Sequence, residues 1–452
     1  MVKTVYYFSM YFLFASVFLN EIFNLDRSRY TISTSFGVLL FLVSSLTLIR
    51  GFQLYVSLIS LAIGHLIFLN YNLGYDIWYS SITKSIGMPI LFVVIPLITF
   101  PIKHGQYLEA VESFLGAKRE KPIFLFIILA IIHLFLTITL NIASIPTMQN
   151  ILDKIKLPHK FLSRLYTTGY SSYMVFSPYD GVVNMVLIFT SVRYSEYFFS
   201  GLSMVLVITI ISAGLLKTDL NQMRDLNHSL SILKENVVNK RVYELLFHIL
   251  MLIGIAFLGD KLLHFSNPLY GIAIIIVVYS IFWGFLLKKL SNFKEELADY
   301  SKNLLNYKGF LPFLISASFL GSMVSYTPLK DNIGGVLLSF NSLPSYFIIQ
   351  FFILLTMSLS LCGVNMMISV TTLALTISPD ILGLSNIAFA LTLLTSWFMA
   401  MSISPFVPFA VVVAESIKDK PLNVTLKNNL KFCFLMLFVA PIVILLINSF
   451  TR

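Results

Sequence analysis

Ser177-Pro178-Tyr179-Asp180-Gly181 stands between two apolar, helix-like stretches, Leu165 to Phe176 and Val182 to Phe189. It holds a proline that cannot donate a backbone hydrogen bond, a glycine that permits unusual dihedrals, and an acidic side chain at what should be bilayer depth. A second break lies 227 residues further on, from 177 to 404: Ser404-Pro405-Phe406-Val407-Pro408, again inside an apolar segment. Broken helices at corresponding places in two halves of a chain point to the substrate site of a secondary transporter.

The composition agrees with a membrane setting. The chain has 452 residues, 57% of them hydrophobic and only 12% charged, with a mean hydropathy of +0.86. A soluble domain carries about 25% charged residues, so the surplus of apolar surface reads as a polytopic membrane protein. The net charge of +10 does not indicate nucleic acid, because the basic residues sit in loops between apolar segments, as membrane flanks do. Cys362 and Cys433 lie in apolar segments at no metal or disulfide spacing. The first apolar run, Val5 to Leu19, lacks a small-residue cleavage site before Asn20-Glu21, so no signal peptide is expected.

A span needs about 20 apolar residues. Candidates fall near residues 4–22, 34–49, 53–70, 85–101, 122–157, 158–192, 196–216, 242–259, 266–288, 309–325, 343–380, 385–414 and 431–449. Between the fourth and fifth, residues 105–117 read as a short interfacial helix. Segments 122–157 and 343–380 are too long for one span and are interrupted by polar residues, so each reads as a re-entrant hairpin. With the N-terminus inside, 24 of the 31 Lys and Arg residues fall on the cytoplasmic side. The other seven, Arg27, Arg29, Lys84, Arg193, Lys261, Lys330 and Arg452, fall outside with the C-terminus. A hairpin counted as a full span would invert everything after it, so this bias supports the hairpins as well as the orientation. Segment 158–192 then runs outward and 385–414 inward, an inverted repeat. The expected organisation is scaffold spans in 1–84, a first repeat in 85–216, cytoplasmic amphipathic loops with scaffold spans in 217–308, and a second repeat in 309–452. Loops 217–241 and 288–308 read as helices lying on the membrane, with Leu230, Leu233 and Val237 at helical spacing.

The chemistry is expected at the breaks and the hairpin tips. Backbone that leaves the helix in a bilayer must line a cavity or be covered by protein; its freed amides can hold an anion and its freed carbonyls Na⁺ or protonated groups. Ser177, Pro178, Tyr179, Asp180 and Gly181 form one half of such a site, and Ser404 with Pro405 begins the other. Asp180 is either a ligand of Na⁺ or a proton carrier, or the cap of the next half-helix at a wet surface. The second break has no acidic counterpart, since Phe406 and Val407 stand where Tyr179 and Asp180 do. At the tips, Asn141, Ser144 and Thr147, and Gly363, Asn365, Ser369 and Thr371, are candidate ligands by residue type. Arg164 is expected to snorkel to the interface, and Ser385-Asn386 to cap the helix that follows. His65 and His133 have no second histidine at ligand spacing. No P-loop, GxSxG or HExxH occurs.

The order of spans, hairpin, broken helix and span, then the same again inverted, together with Ser402-Ile403-Ser404-Pro405-Phe406-Val407-Pro408 through Ala414-Glu415-Ser416, resembles the ion-transporter superfamily. Within it the chain is similar to the large membrane subunit of TRAP transporters and, more distantly, to divalent anion/sodium symporters. The Ser-Asn-Thr hairpin-tip signature of the sodium/dicarboxylate branch is absent. The resemblance implies elevator-type alternating access, coupling to Na⁺ or H⁺, and an anionic substrate.

The fold expected is an all-α polytopic membrane protein with an inverted repeat, two re-entrant hairpins and two broken transmembrane helices. The function expected is secondary active transport of a small anionic solute across the cytoplasmic membrane, with no cofactor, no enzymatic activity and no nucleic acid. The expected partners are the solute, the bilayer and a second copy of the chain in a homodimer. The alternative, a membrane enzyme or polymerase of cell-envelope polysaccharide assembly, would need a large external loop rich in catalytic side chains. The longest external loop, 326–342, carries only Lys330 and Asp331.

Overall fold

Helices account for the regular structure, and no strand occurs among the described residues. The computed structural model describes residues 2–23, 27–50, 52–83, 86–105, 107, 122–152, 157–219, 240–262, 268–289, 300, 304–308, 310–324, 326–327, 343–364 and 366–452. The expected interfacial helix at 105–117, most of loops 217–241 and 288–308 with Leu230, Leu233 and Val237, and Asn365 lie outside the described residues. Five stretches are long and apolar enough to cross a bilayer: Ile123–Leu152, Tyr194–Leu216, Lys240–Gly259, Asn386–Ile403 and Asn423–Thr451.

The chain divides into two compact units. The first comprises Met1–Ile95, Gly259–Ser339 and Leu375–Ser378. In it α1 (Val2–Phe23) packs on α2 (Arg27–Leu46), α3 (Phe52–Asn70) packs on α14 (Phe310–Val324), and α5 (Gly87–Val94) packs on α13 (Pro268–Leu286). A short α4 (Tyr75–Thr83) forms between the expected spans. The expected span 85–101 is not one helix. It breaks into α5, a 3-10 turn Ile95–Ile98 and α6 (Thr99–His104). Pro96 and Pro101 each remove a backbone donor there, which an uninterrupted helix cannot replace.

The second unit comprises Pro96–Leu258, Phe340–Ala374 and Pro379–Arg452 and holds both hairpins. In the first hairpin, α7 (Pro122–Leu140) ends in a turn at Asn141, whose φ of +50° reverses the chain into α8 (Ser144–Leu152). Although 123–152 has the composition of a single span, it doubles back. Ser144 Oγ lies 2.9 Å from Thr137 Oγ1 and 3.3 Å from His133 Nε2, whereas eleven residues of straight helix would separate Ser144 and His133 by about 16 Å. The next helix, α9 (His159–Phe176), then runs parallel to α7: Phe161 faces Phe126 at 5.5 Å, Tyr166 faces His133 at 5.1 Å, and Tyr170 Oη donates to Asn141 Oδ1 at 2.8 Å. The second hairpin repeats this. After α15 (Ser345–Leu361), Gly363 adopts φ +83°, and α16 (Met366–Thr376) carries the chain back, so that Ser345 Oγ meets the Leu382 carbonyl at 3.4 Å. The helix α17 (Asn386–Ile403) runs alongside α15 to where Ser404 Oγ donates to the Ser360 carbonyl at 2.8 Å. Ser385 caps α17, accepting from the Ala388 amide at 3.1 Å, as its sequence indicates.

The closing helix α19 (Asn428–Thr451) contains Pro441. Pro441 deprives the Leu437 carbonyl of its usual donor, and Gln350 Nε2 of α15 supplies one at 3.2 Å, beside Tyr346 Oη on the Phe438 carbonyl at 3.2 Å. Gln350→Leu is expected to lower stability by about 1 kcal/mol. In a Pro441→Ala background, where the helix regains its own donor, the loss should shrink. A double-mutant cycle on thermal unfolding reads this coupling; equal losses in both backgrounds would show that Gln350 has no such role.

Candidate functional site at the crossing of two broken helices

The two breaks share one local conformation. At the end of α9, Ser177 has φ −71° and ψ 127°, its amide reaches back to the Tyr173 carbonyl, and its Oγ accepts from the Tyr179 amide at 3.2 Å. At the end of α17, Ser404 has φ −82° and ψ 124°, its amide reaches back to the Ala400 carbonyl, and its Oγ accepts from the Phe406 amide at 3.4 Å. The half-helices α10 (Gly181–Phe189) and α18 (Pro408–Ile417) follow. Proline stops each helix, and the preceding serine turns its hydroxyl onto the backbone the break releases.

The helix α19 shows that the two broken helices enter from opposite ends. The start of α9 lies against the first turn of α19, where Arg164 Nη2 donates to the Asn428 carbonyl at 3.2 Å and Asn429 Nδ2 reaches Thr167 Oγ1 at 2.8 Å. The start of α17 lies against the last turns of α19, where the Ser385 amide donates to Asn448 Oδ1 at 2.7 Å and Ser385 Oγ meets Thr451 Oγ1 at 2.6 Å. From Asn429 to Asn448, α19 rises about 29 Å, close to the roughly 30 Å of a bilayer core. The two helices run toward each other and touch near their breaks, with Ser171 Oγ 3.3 Å from Ser402 Oγ. Both are encased, with every residue buried from Phe161 to Phe176 and from Ala388 to Ile403.

The first break is closed by side chains of its own segment and of a neighbouring helix. Asp180 Oδ1 accepts from the Val182 and Val183 amides at 2.7 and 3.0 Å, capping α10. Asp180 is thus the cap, but it is buried, not at a wet surface. The freed carbonyls find donors in Tyr197 Oη (Val175, 2.8 Å), Tyr194 Oη (Phe176, 3.0 Å), Asn184 Nδ2 (Pro178, 2.6 Å) and Tyr173 Oη (Tyr179, 3.5 Å). Two of these tyrosines come from α11 (Tyr194–Asp219). Tyr179 Oη is anchored on the Leu252 carbonyl of α12 (Lys240–Leu262) at 2.7 Å. The second break is different. Val407 at the N-cap of α18 offers no side-chain cap, and Pro408 occupies the first position. Beside it Phe406 is 68% exposed and Pro408 is exposed as well, so this break lies at the protein's surface.

The hairpin tip Asn141 ties the breaks together. Its amide holds Tyr170 Oη at 2.8 Å and Tyr173 Oη at 3.4 Å. Tyr170 in turn packs on Phe409, in the first turn of α18, at 5.0 Å between ring centres. Ser144 and Thr147 do not join this cluster. Ser144 is buried inside its own hairpin against His133 and Thr137, and Thr147 bonds the Ala143 carbonyl of its own helix at 2.8 Å. In the second hairpin Gly363 forms the exposed tip, Thr371 Oγ1 reaches Met185 Sδ of α10 at 3.3 Å, and Ser369 Oγ is buried with no hydrogen-bond partner among the described residues. Arg164 does not snorkel. It is 1% exposed and bonds backbone at the start of α19.

Sequence reading missed Tyr170, Tyr173, Ser171, Ser402, Asn184 and Trp397. The indole Nε1 of Trp397 is buried without a partner among the described residues. The available signal was α9 itself, which carries Thr167, Thr168, Tyr170, Ser171, Ser172 and Tyr173 in a stretch long enough to enter a membrane. Among the described residues no group of three or more His, Cys, Asp or Glu side chains could hold a metal ion.

The described residues define the class: a helical fold with five stretches long and apolar enough to cross a bilayer. Two solved structures share it. MtrF of Neisseria gonorrhoeae, whose structure is described as illuminating a class of antimetabolite efflux pumps, superposes with a TM-score of 0.56 at 13% identity, over 83% of this chain and 85% of its own. The YdaH transporter of Alcanivorax borkumensis, described as having an unusual topology, superposes with a TM-score of 0.56 at 13% identity, over 86% of this chain and 96% of its own. No protein-family model and no curated protein sequence matches the chain.

Proposed function

We propose that the chain is a secondary active transporter for a small anionic solute in the cytoplasmic membrane, coupled to Na⁺ or H⁺. In this reading the hairpins and broken helices carry the solute in an elevator-type cycle, the N-terminus is cytoplasmic and the C-terminus external. Placement in the ion-transporter superfamily rests on the architecture drawn from the sequence, and transport on the likeness in fold to MtrF and YdaH; the likeness to the TRAP large subunit is not needed for either.

One observation carries the anionic solute. Two half-helices begin at matching breaks, and the N-terminus of each attracts negative charge. At α10 that place is filled by the Asp180 carboxylate, whereas at α18 the N-cap Val407 makes no side-chain cap hydrogen bond. The solute's anionic group takes at α18 the position that Asp180 takes at α10.

Val407→Asp tests this directly, because it gives α18 its own internal carboxylate. Purified wild-type protein is expected to show a thermal shift with one or more small mono- or dicarboxylates, rising with concentration by mass action. Val407→Asp should fold, with a cap worth about 1 kcal/mol, and lose the carboxylate response. No response of the wild type to any carboxylate, or an undiminished response of the variant, would overturn the assignment. The same screen with Na⁺ and Li⁺ reports on the coupling ion.

A further inference from the structure

His65 lies in α3, five residues before its end at Asn70. Its Nδ1 is 2.8 Å from the Leu61 carbonyl, which only accepts, so Nδ1 carries a proton. Its Nε2 is 3.1 Å from Trp78 Nε1, which only donates, so Nε2 carries none. The neutral Nδ1–H tautomer alone satisfies both bonds. A proton added to Nε2 would set two N–H groups head to head at 3.1 Å, turning an attraction into a repulsion.

The half-buried ring is held on one side. Phe319 of α14 packs on it at 4.8 Å between centres, and Phe319 sits so close that a Cβ at Gly64 would lie 2.7 Å from its ring. Among the described residues, no ion pair reaches His65 from the elements packed here. The α14 sequence has no titratable side chain, and α3 has only Tyr55 besides His65. The α4 helix has Tyr75, Tyr79 and Asp76, the last exposed in its first turn, and α2 has Arg27, Arg29 and Tyr30 at its beginning.

Trp78 belongs to α4, a nine-residue helix too short to be stable by itself. Side-chain hydrogen bonds tie it to its neighbours, among them Trp78 to His65 on α3 and Tyr75 Oη to Ser35 Oγ on α2 at 2.9 Å. The chain leading into it contains Asn72 at φ +46° and Gly74, around which there is open space. We propose that His65 is a proton-operated latch on α4: neutral, it holds Trp78 and keeps α4 docked; protonated, it drops that bond and lets α4 loosen.

The experiment uses the full chain in lipid nanodiscs, labelled with 5-fluorotryptophan. Its three tryptophans give three ¹⁹F resonances, and that of Trp78 is assigned by its absence in Trp78→Phe. In the wild type the Trp78 resonance is expected to move in a single proton-linked step on acidification, while those of Trp283 and Trp397 do not follow it. In His65→Gln, whose amide can replace both hydrogen bonds without titrating, the resonance should stay at its alkaline position; His65→Asn serves if that variant does not fold. A Trp78 resonance independent of pH in the wild type, or the same titration in the amide variant, would overturn the latch.

Discussion

Asp180→Asn is expected to fold like the wild type and to lose gradient-driven transport in proteoliposomes. The cap on α10 needs only an oxygen that accepts from the Val182 and Val183 amides, which Asp180 Oδ1 does at 2.7 and 3.0 Å. Asparagine caps as well as aspartate, so the half-helix keeps its start. A carboxylate in a membrane segment costs a few kcal/mol more than a neutral group; the N-terminus of α10 offsets part of that cost, and the proposed function assigns the charge itself to the coupling ion. Asp180→Ala separates the two roles: it leaves two buried amides without an acceptor and should lower stability by about 2 kcal/mol. Thermal unfolding should rank wild type and Asn together above Ala, whereas transport should rank wild type alone above both. Undiminished transport in Asp180→Asn would sink the coupling role and leave Asp180 as a cap.

The second large effect belongs to Gly169. A Cβ there would lie 2.3 Å from His133 Nδ1, 2.9 Å from its Cγ and 3.0 Å from its Cβ. The obstacle is the root of a ring enclosed by Tyr166 and Ser144, not the far end of a flexible chain. Gly169→Ala must therefore push the first hairpin off α9, at about 1–3 kcal/mol for overpacking. Since this contact sets the register that brings Asn141 to Tyr170, transport should fall as well. His133→Ala opens the space the new methyl needs, so the double variant should be more stable than Gly169→Ala alone. Wild-type stability of Gly169→Ala would show that hairpin and helix are free to separate.

Local chemistry was legible along the chain. Pro178 and Pro405 each follow the end of a helix, and the breaks fell where expected, at Ser177 to Asp180 and Ser404 to Val407. The hairpins were legible because 122–157 and 343–380 exceed one bilayer crossing and are interrupted by polar residues. The break inside 85–101 was missed although Pro96 and Pro101 mark it, because hydropathy alone runs straight through them. Asn365 lies outside the described residues, and Ser144 and Thr147 point to other partners because a residue's type does not say which side of a hairpin it faces.

The sequence by itself determined where the helices break, since proline and glycine act within a turn of chain. It also determined that one break carries a carboxylate and the other a valine. Only the tertiary structure decided that Ser171 meets Ser402 across 231 positions, that α11 tyrosines close the first break, and that Arg164 is buried. These depend on which faces of distant helices pack together, and one residue of helix rotation, about 100°, changes every such partner. For the same reason the meaning of Asp180 and Val407 needed the fold: a carboxylate becomes a cap, and its absence an open helix end, only when the half-helices are seen to begin there.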